Sequence, residues 1–189
     1  MSELRKARVA TASLAGCFGC HMAILDMDER LIDLMSKVDI DRSPLTDFKK
    51  FTRRCDIGII EGGCCNEENV EVLQDFRRNC DVLIALGQCA IMGGLPAMRN
   101  AIMHSDEPLR ECLEEAFIDG RYIQNTTHNI PNDPALPLLL DEVYACTEVV
   151  EIDYNIPGCA PSGDIIFDTL IKLLAGKFHG FEREAIRFD

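Results

Sequence analysis

Cysteine follows the end of an apolar run at four places in this chain: Cys17-Phe-Gly-Cys20, Gly62-Gly63-Cys64-Cys65, Gly87-Gln88-Cys89 and Pro157-Gly158-Cys159. The runs before them, Arg8 to Leu14, Cys55 to Ile60, Asp81 to Leu86 and Glu148 to Ile152, are short and apolar. Strands with both faces covered read this way, and such strands belong to parallel sheets flanked by helices. In an open parallel sheet, the loops after the strands share one edge, where ligands bind. Cysteines far apart in sequence are thereby directed to one place.

Between these runs lie segments of helical period. His21 to Val38 places Met22, Leu25, Leu31, Ile32, Leu34 and Met35 near helical spacing. Asn66 to Asn79 carries acid in its first turn and Arg77-Arg78 in its last, matching the helix dipole. Leu95 to Met103, Pro108 to Phe117, Leu138 to Tyr144 and Pro161 to Leu174 read as further helices, and Leu45 to Phe51 as a short one. Gly120 to Pro137 is a polar, proline-punctuated connection. A strand–loop–helix unit repeated in this way predicts an α/β fold, a flavodoxin-like doubly wound parallel sheet in a single domain. The domain is expected over 1–175, with a C-terminal tail over 176–189 packing on it or on a partner.

Composition narrows the function. A length of 189 residues suits one domain. The formal charge of −13 and the absence of Trp argue against a nucleic-acid binder. No run approaches the ~18 apolar residues of a membrane helix. Met1 to Ala12 lacks the apolar core of an export signal, so a cytoplasmic protein is expected. In a reducing compartment ten cysteines point to metal or redox work, with some serving only as small buried apolar residues.

Position relative to the strands sorts them. Cys17, Cys20, Cys64, Cys65, Cys89 and Cys159 fall past strand ends, on the ligand edge. Cys55 and Cys80 precede strands and belong at the opposite edge, in the core. Cys112 and Cys146 sit in or near helices and read as core filling. Cys17-x-x-Cys20 lets one loop present two thiolates to one metal centre. Cys89 and Cys159 each follow a glycine that permits close approach of a bulky group. Cys64 and Cys65 are adjacent, so their side chains diverge and both do not serve one cluster. A lone Cys-x-x-Cys is equally a zinc knuckle or a dithiol. Two single cysteines at matching strand ends, with no second knuckle, favour iron–sulfur. Phosphate-binding glycine motifs and a nucleophilic triad are missing. His21 reads as a solvated or capping residue, and Glu61 as a carboxylate accepting backbone N–H bonds. His104, His128 and His179 have no partner spacing. The chain reads as an electron carrier with no catalytic residue of its own.

With these motifs assembled, the chain resembles the small subunit of [NiFe] hydrogenases, most closely the short, single-cluster form of the cytoplasmic NAD-reducing enzymes. Cys17-Phe-Gly-Cys20, Glu61-Gly62, Glu67-Glu68-Asn69, Leu86–Asn100 (LGQCAIMGGLPAMRN) and Pro157–Asp164 (PGCAPSGD) carry the resemblance. It implies one [4Fe–4S] cluster on Cys17, Cys20, Cys89 and Cys159, with Cys64 and Cys65 as supernumerary candidates. It also implies a large subunit bearing the Ni–Fe site, and Fe–S and flavin-containing diaphorase subunits that hold FMN and act on NAD. The related complex I-type cluster subunit has adjacent cysteines after its first strand, where this chain has Cys-x-x-Cys. Two other readings are an FMN-binding flavodoxin-like carrier, against which the cysteine-bearing first loop argues, and a zinc-stabilised interaction subunit.

Overall fold

A computed structural model of the chain describes residues 5–102, 108–178 and 180. The elements run β1 (Ala7–Ser13), α1 (Gly19–Leu25), α2 (Glu29–Met35), β2 (Val38–Ile40), β3 (Cys55–Glu61), β4 (Cys64–Asn66), α3 (Glu67–Asn79), β5 (Cys80–Leu86) and α4 (Gln88–Met92). A 3-10 stretch (Pro96–Ile102), α5 (Pro108–Glu114) with a following π turn (Glu115–Asp119), β6 (Leu139–Tyr144), α6 (Cys146–Val149), β7 (Tyr154–Ile156) and α7 (Gly163–Leu174) complete the order.

Five strands form one parallel sheet in the order β2-β1-β3-β5-β7. Setting aside the excursions through β4 and β6, this is the flavodoxin order 2-1-3-4-5. Alternate residues of each strand serve opposite faces. Val9, Ile57, Ile59, Ile84 and Leu86 pack against α1, α2 and α7 through Ile24, Leu34, Ile166 and Leu170. Ala10, Ala12, Ile60, Leu83 and Ala85 pack against Leu73 and Phe76 of α3 and Ala90 of α4. Asn66 caps α3 by accepting from the Asn69 N–H at 2.8 Å, with Glu67 and Glu68 in the first turn and Arg77 and Arg78 in the last.

The structure corrects several sequence expectations. The helix read over His21 to Val38 breaks after Leu25, where Asp28 adopts φ 54° and Met27 turns into the core at 1 % exposure. Its last residue opens β2, a strand the periodicity did not reveal, paired with β1. Leu45 to Phe51 is turn and bend. The helix read at Leu138 to Tyr144 is strand β6, antiparallel to β4. Glu148 to Ile152, read as a strand or extended segment, begins inside the short α6 and is extended at Val150, with φ −138° and ψ 161°; the sheet's last strand lies further on, at β7. Leu95 to Met103 winds as a 3-10 stretch as far as Ile102, and Met103 lies outside the described residues. His104, His179 and most of the tail also lie outside them, while Phe178 packs edge-on against Tyr154 of β7. Among the described residues no helix is long and apolar enough to cross a membrane.

Candidate metal centre

The four loops after β1, β3, β5 and β7 meet at the carboxyl edge of the sheet and are laced in pairs by backbone hydrogen bonds. Ala15 and Gly63 exchange N–H···O bonds of 2.9 and 2.8 Å, joining the first loop to the second. Gly87 N–H donates to the Ile156 carbonyl at 2.8 Å and Gln88 N–H to that of Gly158 at 3.0 Å, joining the third to the fourth. Glycine is required where this lacing is tightest. At Gly62, with φ +82°, a Cβ would lie 2.7 Å from the Leu14 carbonyl carbon. The segment beyond Cys89 is clamped from outside the sheet. The Asn100 amide donates to the Val143 carbonyl at 2.9 Å and accepts from its N–H at 2.8 Å. Thr147 bonds the Ile91 carbonyl at 3.0 Å.

Of the cysteines predicted for the site, Cys17 and Cys159 are exposed and Cys20 and Cys89 half-buried. The four thiols influence one another electrostatically. Cys20 feels Cys89 and Cys17, and Cys89 feels Cys159 and Cys17. Burial first, then the Glu61 charge, pushes the Cys20 thiol well up; burial, with neighbouring Cys159, does the same for Cys89. Such thiols ionise readily only beside a cation or metal. Glycines lie directly against the sulfurs: a Cβ at Gly87 would stand 2.4 Å from Cys20 Sγ, at Gly94 2.8 Å from Cys89 Sγ and at Gly19 3.1 Å from Cys17 Sγ.

The other cysteines of the edge face elsewhere. Cys64 is fully buried in the core with Cys146, whose thiol donates to the Gly62 carbonyl at 3.2 Å. Cys65 bonds the Asn69 side-chain oxygen through both its N–H, at 3.1 Å, and its Sγ, at 3.3 Å. Cys55 and Cys80 are register partners on β3 and β5, buried at the edge away from the loops as the sequence indicated. Gly58 leaves them room, since a Cβ there would meet Cys80 Sγ at 2.7 Å.

Behind Cys20 lies a buried polar chain. Glu61, ending β3 at 2 % exposure, accepts the N–H groups of Cys20 at 2.9 Å and His21 at 3.3 Å. This is the carboxylate role the sequence suggested. His21 departs from its expectation: the imidazole is fully buried, stacked on Phe18 at 4.7 Å. Its Nδ1 meets Glu61 at 2.7 Å and its Nε2 meets Thr11 Oγ1 at 2.9 Å. Thr11 Oγ1 lies 2.8 Å from Ser43 Oγ. Burial alone would raise the Glu61 carboxyl, but hydrogen bonds from His21, Ser13 and Cys20 hold it below its ordinary value. Thr11, Ser13 and Ser43 were missed from sequence. The one available signal was a polar residue at a core position of an apolar strand, as Thr11 is.

Among the described residues no three Cys, His, Asp or Glu side chains close in as the ligands of a single metal ion would. Four thiols on three loops, packed against glycines with no side chain to intrude, fit a bulkier group. Thiolate is the donor that iron–sulfur clusters take.

Residues 17–173 match the family of the NADH ubiquinone oxidoreductase 20 Kd subunit. The chain belongs to this family. Its relatives there include hydrogenase subunits. It is 45 % identical over 185 residues to the delta subunit of the NAD-reducing hydrogenase HoxS of Cupriavidus necator, covering 97 % of this chain and 86 % of that one. Identity to a subunit of the F420-non-reducing hydrogenase of Methanothermobacter thermautotrophicus is 35 % over 174 residues, 91 % of this chain but only 54 % of that relative. A chain in the crystal structure of an NAD+-reducing [NiFe]-hydrogenase in the H2-reduced state superposes with a TM-score of 0.90 at 48 % identity, covering 98 % of this chain and all of that one. The family thus holds this fold, and these relatives are oxidoreductase subunits.

Proposed function

We propose that this chain is the electron-transfer subunit of a cytoplasmic NAD-reducing [NiFe] hydrogenase. It would carry one [4Fe–4S] cluster on Cys17, Cys20, Cys89 and Cys159. The carrying observation is that these four cysteines, independent in sequence, lie on loops at one sheet edge, where Cys20 feels the charge of Cys17 and Cys89, and Cys89 that of Cys17 and Cys159. A cluster so held supplies one-electron transfer at a potential set by hydrogen bonds, burial and nearby charge. The chain's own part is to hold the four thiolates, to keep water from the half-buried Cys20 and Cys89, and to fix the first loop through Glu61. Cys64, committed to the core, and Cys65, committed to Asn69, stand outside the ligand set.

Partners follow from the surface. Met92, Leu95 and Met98, at 65, 69 and 62 % exposure, form an apolar ridge on the segment that carries Cys89. Apolar exposure of this kind on the segment that carries Cys89 suits a subunit interface. We assign it to the large subunit that bears the nickel–iron site, from which electrons would enter this chain. They would leave toward Fe–S and flavin-containing diaphorase subunits that reduce NAD+.

Purification of the native complex, with iron and sulfide analysis and electron paramagnetic resonance of the reduced protein, tests the reading. A reduced [4Fe–4S] signal lost in Cys20→Ser and Cys89→Ser but kept in Cys64→Ala and Cys65→Ala is expected. Zinc in place of iron would overturn it.

A further inference from the structure

Three non-glycine residues among those described have positive φ: Phe18, Asp28 and His128. Asp and His are among the types that adopt such backbone most readily; a bulky aromatic is not. Phe18 nevertheless stands at φ 66° and ψ 7°, in the left-handed region, and it does so between Cys17 and Cys20. An L side chain there crowds the following carbonyl, so the conformation persists only where its surroundings impose it. The contact that imposes it is a stack. The Phe18 ring lies on the His21 imidazole, with centroids 4.7 Å and planes 7° apart. That imidazole is a fixed plate, fully buried, with Glu61 at 2.7 Å on one nitrogen and Thr11 at 2.9 Å on the other. Aromatic pairs attract at this separation.

The left-handed residue sets what its neighbours can do. Just beyond it, the Gly19 N–H turns back onto Cys17 Sγ at 3.4 Å. The Phe18 carbonyl accepts the Met22 N–H at 3.1 Å and so starts α1, with Cys20 in its first turn. One turn thereby presents both thiols, Cys17 before it and Cys20 after it. A loop already in this shape loses little freedom when it takes a bulky group, whereas a relaxed loop has to be reordered first.

We propose that Phe18 is a positioning residue for the metal centre. Stacked on His21, it holds the Cys17-x-x-Cys20 turn ready for the cluster, the stacking contact offsetting the cost of left-handed backbone. This inference rests on the cluster assignment above. It makes an unusual demand on substitution. Within regular elements glycine serves a folded chain worse than alanine, because it loses more freedom on folding. At Phe18 the order inverts. Alanine loses the stack and keeps the steric cost, whereas glycine loses the stack and is free of that cost.

The test uses the complete hydrogenase complex carrying Phe18→Ala, Phe18→Gly or Phe18→Tyr, exposed to an iron chelator. The paramagnetic resonance signal that Cys20→Ser abolishes is followed as it decays. In Phe18→Ala it should decay about tenfold faster than in the parent. Phe18→Gly should fall between Phe18→Ala and the parent, and Phe18→Tyr, which keeps the stacked ring, should match the parent. Decay at the parent rate in Phe18→Ala overturns the inference, as does decay at the alanine rate in Phe18→Tyr. Phe18→Gly decaying as fast as Phe18→Ala, or faster, also overturns it, because a ring that merely covers His21 is missed at least as much in glycine as in alanine. Should Phe18→Ala fail to assemble, Phe18→Gly with the signal supports the inference and Phe18→Gly without it overturns it. A parent complex lacking the signal would refute the cluster assignment instead, a failure distinct from that of the positioning role.

Discussion

The Glu61 carboxylate stands 2.7 Å from Nδ1 of His21, with both side chains shut off from solvent. Such a pair is held by having every lone pair matched, not by charge alone. Glu61→Ala breaks the matching, because the Cys20 N–H, the His21 N–H and the His21 Nδ1 all lose their partner. A loss of about 3–5 kcal/mol is expected for removing one partner of a buried pair. Urea unfolding of the parent and variant chains measures it, and a difference under about 1 kcal/mol would contradict the matched geometry. The parent should also lose this contribution in acid. The carboxyl is held below its unfolded value, so its stabilisation is complete above that value and vanishes as pH falls through the folded one. The gap between parent and variant should therefore narrow in acid.

Gly87→Ala should strike the metal centre itself. The residue has φ +83°, and the added Cβ would lie 2.4 Å from Cys20 Sγ. With ψ 165° as well, this is backbone that essentially only glycine adopts, at a cost of about 1–3 kcal/mol to other residues, and displacing the sulfur adds to this. Gly176 supplies the control, with φ +64° and nothing within 4 Å of where a Cβ would stand. Gly176→Ala should cost about 1 kcal/mol and keep its iron, whereas Gly87→Ala should lose both iron and more stability. Equal iron content in the two variants would show that Cys20 tolerates the intrusion.

The central strands and the sorting of cysteines by sheet edge were legible because they rest on short-range patterns. CDIGII and DVLIAL are buried on both faces and stop at glycine, and β3 and β5 form there. What failed was decided by distant partners. Leu138-Leu139-Leu140 has the composition of a helix, yet β6 is extended because β4 supplies a strand to pair with and Arg99 bonds the Leu140 carbonyl at 2.7 Å. β2 is three residues long, too short to carry a period, and exists through its pairing with β1. His21 was misread for a similar reason. Its burial depends on Thr11 and Glu61, residues 10 and 40 positions away in sequence.

Asn100 imitates a strand for Val143, meeting both its N–H and its carbonyl. Asn100→Ala leaves both backbone groups without these partners and should cost about 2–6 kcal/mol, taking about 1–3 for each buried group left unmatched. Asn100→Asp keeps the acceptor and loses the donor, so an intermediate loss is expected. Hydrogen exchange at the Val143 amide separates the two variants. It should quicken strongly in Asn100→Ala and little in Asn100→Asp, and identical rates would show that β4 alone holds the strand.

Alkaline conditions should destabilise the fold through thiols far from the metal centre. The contact with Cys55 and burial push the Cys80 thiol up, and contact with Cys64 and burial do the same for Cys146. A thiol raised in the folded state contributes its full stability below its unfolded value, about 8.5, and loses it as pH climbs beyond. Each such thiol should therefore remove up to about 1.4 kcal/mol per pH unit above ~9. Cys80→Ala costs about 1 kcal/mol near neutrality, for lost packing against Leu83 and Cys55. It should nevertheless unfold less steeply with rising pH, so that the stability curves of parent and variant converge and then cross. Guanidinium melts at about pH 7.5, 9 and 10, spanning the unfolded thiol value, follow this directly. Parallel curves across that range would mean that the paired thiols ionise in the folded chain as easily as in the unfolded one.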